Sequence, residues 1–264
     1  MTYTHGYAAS VTDSHAARTA ADSAAYLLAH LRPGMTLVDV GCGPGSITLD
    51  LAEAVGPTGQ VVGVDVAEPV LALARAAARR RGDRRTRFEL RDVADLQRPP
   101  GGADVVHAHQ LLQHLTDPVG AIRAMARTAA PGGLLALREV DFGATTWWPP
   151  APGLGGWLAA YRSIAIGNGT TPDAGRRLPH WAHEAGLPEV AVSASVWTYA
   201  APEQRRRLAQ SWIERCRESL LPQARRHGVD PGTLELAEQA WRDWSMQPDG
   251  YLAFVHTEVL ARVS

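Results

Sequence analysis

Residues 37–56, LVDVGCGPGSITLDLAEAVG, constrain the fold more than any other stretch of the chain. An apolar run ends in Gly41, Gly43 and Gly45, and a helix-like segment follows directly. A strand that passes through bare backbone into a helix is the first corner of an open α/β sheet, where ligands sit at the carboxyl ends of strands near the switch point. Glycine there permits tight turning and lets a ligand approach the main chain. The spacing is G-x-G-x-G, not the G-x-G-x-x-G that brings a pyrophosphate onto a helix N-terminus.

The neighbouring chain alternates in the same style. Strands are predicted at 35–41, 59–66, 86–92, 103–109 and 134–141. Between them, helices are predicted at 13–31 with Asp13 as N-cap, 45–56 closed by Gly56, 67–82, and 116–133 with Asp117 as cap and Pro118 at its first position. Strands alternating with helices give a doubly wound parallel sheet with right-handed crossovers. The second half reads differently. Residues 143–180 are rich in Gly, Pro and Trp, a strand is predicted at 188–200, residues 202–247 look helical and amphipathic, and 250–263 read as a last strand. All eight tryptophans follow residue 146, so the first five strands lack tryptophan. The expectation is one α/β domain over residues 1–264. Its mostly parallel, doubly wound sheet has seven strands, the last antiparallel near 251–262. An N-terminal helical segment covers 1–32, and helical lid insertions lie at 143–171 and 202–248.

Bulk properties narrow the function classes. A length of 264 residues suits one domain with a sizeable core. The net charge of −1 argues against a nucleic-acid or acidic-lipid surface. No stretch approaches the roughly 20 apolar residues of a membrane span. The opening MTYTHGYAAS lacks the basic start and apolar run of a secretory signal, and Cys42 and Cys216 form no disulfide framework, so a cytoplasmic location is expected. All 26 basic residues are arginine, a coding bias of GC-rich, typically bacterial, genomes.

Asp65 ends the second strand 20 residues after Gly45. A carboxylate there can accept hydrogen bonds from both hydroxyls of a ribose. Asp39 adds a second acid beside the loop, which suits a ligand with an amino group and a positive sulfur better than a pyrophosphate. At this point VDVGCGPG, VVGVDVAE, RFELRDVADL, DVVHAHQLLQHLTDP and APGGLLALRE together resemble the successive motifs of class I S-adenosylmethionine-dependent methyltransferases. The group that the motifs resemble most is the bacterial one around ubiquinone/menaquinone C-methyltransferases and natural-product methyltransferases. The resemblance covers residues 10–142 well and the final strands more loosely. It implies that Asp39, Gly41, Gly43 and Gly45 wrap the methionine moiety, that Asp65 holds the ribose with Val66 beside the adenine, and that Asp92 and Val93 read the adenine amino group and ring edge. His107 to His109 then pass under the cofactor's sulfur. Tyr7, Arg18 and Thr19 stand where the family closes the methionine carboxylate, and Arg18 pairs with it or lies on a solvated helix face.

Methyl transfer needs a nucleophile placed behind an electrophilic methyl, with water excluded, so no fixed catalytic motif is expected. Candidate catalytic groups therefore come from strand ends: His109 as base or orienting group, with Glu139 and Asp141 as active-site or structural carboxylates. Gln110, His114, Trp147 and Trp148 are candidate acceptor contacts, and the aromatic second half favours a small, mostly apolar or aromatic metabolite. With Trp147 and Trp148, residues Trp157, Tyr161, Trp212, Trp241 and Trp244 are expected to line a lid over the cofactor pocket; the alternative is that they form the core of the lid itself, Trp241 and Trp244 sharing one buried face. No metal is expected, because His107, His109 and His114 lack a completing ligand set. The expected partner is a small molecule, with no nucleic acid or membrane, in a monomer or homodimer. Two alternatives remain: a cofactor-binding relative that does not methylate, such as a cyclase or regulatory protein, and a nicotinamide-dependent oxidoreductase. The short-chain form of the latter needs a Tyr-x-x-x-Lys pair, and the chain has no lysine.

Overall fold

A computed structural model describes residues 15–264, so Tyr7 and Asp13 lie outside the described residues. Seven strands form one sheet: β1 (Thr36–Val40), β2 (Gln60–Asp65), β3 (Thr86–Leu90), β4 (Ala103–His109), β5 (Ala129–Trp148), β6 (Val190–Tyr199) and β7 (Tyr251–Arg262). Their order is β3-β2-β1-β4-β5-β7-β6. The first five run parallel, and β7 lies antiparallel between β5 and β6. The winding reverses between β1 and β4, and the carboxyl ends of those two strands mark the crevice where such sheets bind ligands.

Helices cover both faces. On one, α3 (Pro118–Thr128) and α5 (Ala174–Glu184) bury Ile122, Met125, Leu178 and Trp181 against Val38, Val106, Leu135 and Leu137. On the other, α1 (Ser46–Ala54) packs Ile47 and Leu51 on Leu37, Val105 and Leu134. Next to α1, α2 (Glu68–Arg81) ends in three arginines that suit its negative pole, and Gly82 stops it in the left-handed conformation at φ 66°.

The single helix expected over 13–31 is replaced, within the described part, by two one-turn helices, Ala20–Ser23 and Ala25–Leu28. Thr19 caps the first, and Ala24, at φ −141° and ψ 22°, separates them. Asp22 and Ser23 precede the break and hydrogen-bond each other at 2.5 Å, the local polar competition that disfavours helix interiors.

A larger difference lies after residue 142. Residues 143–148, expected within an insertion, continue β5 instead, and Thr146, Trp147 and Trp148 pair with Ala253, Leu252 and Tyr251. The ladder slips between Asp141 and Thr146. The loosened backbone there finds other partners: Gly143 N–H donates to Asp173 (2.8 Å) and Phe142 N–H to the Pro172 carbonyl (3.2 Å). Beyond the slip, α4 (Pro152–Gly167), α6 (Pro202–Arg215) and α7 (Pro231–Ser245) build a second core on the extended ends of β5 and β7. Trp157, Trp212, Trp241 and Trp244 are fully buried in it. Trp157 meets Trp212 and Trp241 edge-on at 4.5 and 4.8 Å between ring centres, a preferred geometry for aromatic pairs.

Candidate functional site

The glycine corner leaves β1 with Gly41, Gly43 and Gly45 all at positive φ. Gly41 and Cys42 N–H groups both donate to the Val64 carbonyl, tying the loop to β2. Gly43 N–H donates to Asp65 Oδ2 and Ala67 N–H to Oδ1, each at 3.0 Å. Asp65 thus fastens the loop while standing at the end of β2. Its carboxyl is raised above the usual range by burial, opposed by these backbone hydrogen bonds. The glycines serve different ends. A side chain on Gly45 would lie 2.9 Å from Ala74 Cβ and Phe88 Cζ, so that position is needed for packing. A side chain on Gly43 would meet nothing within 4 Å, so its bare backbone faces open space. Beside Asp65, Val66 and Leu90 are 59% and 56% exposed, apolar surface at the strand ends. Asp92 caps the following turn by accepting from Ala94 N–H (2.9 Å), and Val93 tucks against the main core. These features fit a nucleoside ligand: open space at Gly43, a carboxylate at the end of β2, and apolar side chains for a flat ring.

Asp39 and His107 stand apart from this surface. Asp39 is buried, with Oδ2 accepting from Thr48 Oγ1 (2.5 Å) and Oδ1 bonded to His107 Nδ1 (2.7 Å). His107 is fully buried in β4 opposite Asp39. Both residues, expected to touch a cofactor, pin α1 and β4 to β1. Alternation along β1 puts Asp39, the penultimate residue of the strand, on the face that α1 covers.

The turn after β4 carries the site's one unusual backbone feature. Gln110 has φ +51°, rare for a residue with a side chain. Glu139, fully buried, holds the next turn by accepting from the N–H groups of Leu111, Leu112 and Gln113 at 2.8, 2.6 and 3.4 Å. Burial pushes the Glu139 carboxyl up to about 8, against those three donors. Glu139 therefore positions the Gln110 turn. In that turn, Gln110 Oε1 accepts from Arg18 Nη2 (3.0 Å), and its Nε2 lies 2.8 Å from His256 Nε2. Arg18 can only donate, so the amide nitrogen faces His256, whose Nε2 is the acceptor and whose ring is neutral.

A cavity of 1140 Å³ opens on this turn. Arg18, Gln110 and His114 form its inner wall, and Phe142, Trp197, Tyr199, Trp212 and Phe254 its aromatic walls. One flank is α6, from Glu203 to Arg215. The glycine corner adjoins it twice. Leu111, next in chain to Gln110, fills the space at Gly41, and Ser46, just after Gly45, donates to the carbonyl of cavity residue His15 (3.1 Å).

Of the expected catalytic groups, none borders the cavity. Asp141 forms a bidentate pair with Arg176 (2.6 and 2.8 Å) at the slip in β5. His109 is buried between Arg138 (3.4 Å) and Trp197 (5.5 Å between ring centres), and burial, then Arg18 and Arg138, hold its pKa well below the ordinary value. Trp147 packs on the tryptophan core and Trp148 donates to Asp249 (2.9 Å), both away from the cavity. Thr19 accepts from Asp22 N–H as a helix cap (3.3 Å). Gln110, His114 and Arg18, expected as acceptor and cofactor contacts, line the cavity. Sequence reasoning missed Trp197, Tyr199, Arg215 and His256. The alternation of Trp197 and Tyr199, and of His256 and Glu258 in an apolar strand, was the available signal for three of them.

Four imidazoles, two buried and two half-buried, make stability acid-sensitive. His15, His109, His114 and His256 are all held below the usual 6.5, chiefly by burial and next by nearby arginines, His114 at about 3 and His256 at about 2. Between pH 6.5 and these values the unfolded chain binds protons that the folded chain refuses, so stability is complete above 6.5 and is lost as pH falls. Glu139 acts oppositely between 4.5 and about 8, one group against four. The melting temperature should fall from pH 6.5 to pH 5, with a shallower fall in His114→Gln. A flat profile over that interval would contradict the neutral cluster.

The chain matches the family described as "Methyltransferase domain" over residues 31–162. It is 30% identical over 256 residues to an uncharacterized methyltransferase of Schizosaccharomyces pombe, covering 94% of this chain and 91% of that protein. It is 37% identical over 144 residues to nocamycin O-methyltransferase of Saccharothrix syringae, covering 54% of this chain and 49% of that one. Among solved structures, phosphoethanolamine N-methyltransferase 2 of Haemonchus contortus, in complex with S-adenosyl-L-methionine, shares the fold. Its TM-score is 0.55 at 17% identity, over 88% of this chain and 49% of that one.

Proposed function

Because the chain belongs to the class I S-adenosylmethionine-dependent methyltransferases, we propose that it methylates a small, mostly apolar or aromatic metabolite held in the cavity beside the Gln110 turn. One observation carries this reading: a cavity of 1140 Å³ with five aromatic side chains adjoins the glycine corner through the Leu111 and Ser46 contacts. Such a volume has room for a small organic acceptor, and aromatic faces suit a flat one.

In this reading Gly43 and Asp65 hold the ribose and main-chain side of S-adenosylmethionine, Val66 and Leu90 flank the adenine, and Arg18 meets the methionine carboxylate. When bound, the cofactor supplies an electrophilic methyl group. The chain's own part is positional. Gln110, fixed between Arg18 and His256, and His114, neutral at pH 7, orient the acceptor. The walls from α6 and the aromatic residues exclude water. His109 takes no proton here, because it is buried away from the cavity and resists protonation. His109→Ala should therefore lower the melting temperature and leave adenosylhomocysteine affinity within about threefold of wild type, a change under 1 kcal/mol.

The function is tested by incubating the protein with methyl-labelled S-adenosylmethionine and a panel of aromatic and apolar metabolites. Transfer of label to one acceptor, lost in Gln110→Ala, is the expected result. Adenosylhomocysteine binding without label transfer to any acceptor would favour a non-methylating role such as cyclisation or regulation.

A further inference from the structure

At 1140 Å³ the cavity exceeds the roughly 300–1,000 Å³ of most small-molecule sites, and neither Gly43 nor Asp65 belongs to its wall. The large volume therefore lies on the acceptor side, and the elements around it give it a direction. Its floor is the face of β6 and β7 beyond the Gln110 turn. At the near end, His256 bonds Gln110 (2.8 Å) and packs on Trp197 (4.5 Å between ring centres). The ladder then steps outward: His256 lies opposite Ser195, Phe254 opposite Trp197, and Leu252 opposite Tyr199. His256 and Tyr199 thus stand four ladder positions apart, about 13 Å along the strands. Phe254 bridges them, meeting Tyr199 edge-on at 5.9 Å.

The roof is α6, which begins at Pro202, three residues after Tyr199, so its first turn stands at the outer end of that floor. Gln204, Leu208, Ser211 and Arg215 all line the cavity. Their spacing of four, three and four residues puts them on one face of the helix, a stripe of about 16 Å. Exposure changes along it. Glu203, Gln204 and Arg207 are exposed, Leu208 is half-buried, and Ser211, Trp212 and Arg215 are buried. Phe142 joins roof to floor, packing on Trp212 (5.9 Å) and Phe254 (5.6 Å). The cavity is therefore a slot, open at the first turn of α6 and closing toward Gln110. Gln110 and His114 are polar groups at the inner end, and Glu203, paired with Arg207 (3.3 Å), marks the mouth. Between them the walls are Phe142, Tyr199, Leu208 and Phe254.

We infer that the acceptor is elongated: the group that receives the methyl lies beside Gln110 and His114, an apolar body runs along the slot beneath α6, and the far end reaches the mouth at Glu203 and Arg207. This rests on the cavity being the acceptor site. A compact acceptor held at Gln110 would leave Tyr199 and Leu208 without a role in recognition.

The test titrates 4-ethylphenol, 4-butylphenol and 4-hexylphenol into the full chain saturated with adenosylhomocysteine and reads affinity by calorimetry. Each probe carries the same polar head and differs only in apolar length. Affinity should rise at least about tenfold from the ethyl to the hexyl member, well within the transfer free energy of four buried methylene groups. Leu208→Arg, which sets a charged chain in the middle of the slot, should abolish that rise while adenosylhomocysteine still binds. Should Leu208→Arg fail to bind adenosylhomocysteine, it is misfolded and Leu208→Asn decides by the same criterion. Affinity that is flat or falls with length, no binding of any phenol, or an undiminished rise in the variant would overturn the inference. Failure of the wild-type protein to bind adenosylhomocysteine would instead remove the methyltransferase reading itself.

Discussion

Gly43→Val should reduce adenosylhomocysteine affinity by about 100-fold or more, close to 3 kcal/mol, in a protein that still folds. The loss comes from the added side chain, which projects into the open space before the Gly43 backbone: among the described residues, chain neighbours aside, no atom lies within 4 Å of an added Cβ. Strain at φ +55°, roughly 1–2 kcal/mol, lowers stability and not affinity. That clearance makes the substitution informative. Gly45→Val is the contrast: its side chain would collide with Ala74 and Phe88, so it should fail by unfolding. Calorimetric titration beside a thermal melt separates the two outcomes. Wild-type affinity in a well-folded Gly43→Val protein would remove the glycine corner as the ligand site.

Asp39→Ala should have the largest effect on stability, about 3 kcal/mol or more. It strips partners from two groups, His107 Nδ1 and Thr48 Oγ1, in a place without water access. For a chain of this length that corresponds to a fall of roughly 10 °C in melting temperature. Asp39→Asn, which keeps an oxygen for Thr48, should recover a good part of it. If Asp39→Ala melts like wild type but loses adenosylhomocysteine binding, Asp39 is a ligand contact after all and the buried assignment is wrong.

How far the chain was readable before its structure follows from which forces are local. The parallel strands were legible because doubly buried strands read as short apolar runs between turn residues, as in Val61–Val64 and Val105–Ala108. Gly82 and Pro118 marked helix ends through chemistry that belongs to single residues. The extension of β5 through Trp148 was hidden, because it depends on pairing with Tyr251–Ala253, more than a hundred positions away, and overrides a stretch rich in turn formers. The same holds for site residues. Nothing near Glu139 or Asp141 in the chain announces that one caps the Gln110 turn and the other grips Arg176. Their acidity suggested chemistry, whereas their partners make them structural. The tryptophans divide likewise: spacing predicted a buried face for Trp241 and Trp244, but Trp197 reaches the cavity from β6 through the fold alone.

The central claim is that the corner formed by Gly43, Asp65 and the exposed Val66 and Leu90 holds a nucleoside with a short amino-acid tail. Titration of adenosylhomocysteine into the wild-type chain, with NAD as the competing probe, tests it most directly. The account predicts saturable binding of one adenosylhomocysteine per chain, lost in Gly43→Val, and no heat from NAD. Binding of NAD with none of adenosylhomocysteine would contradict it.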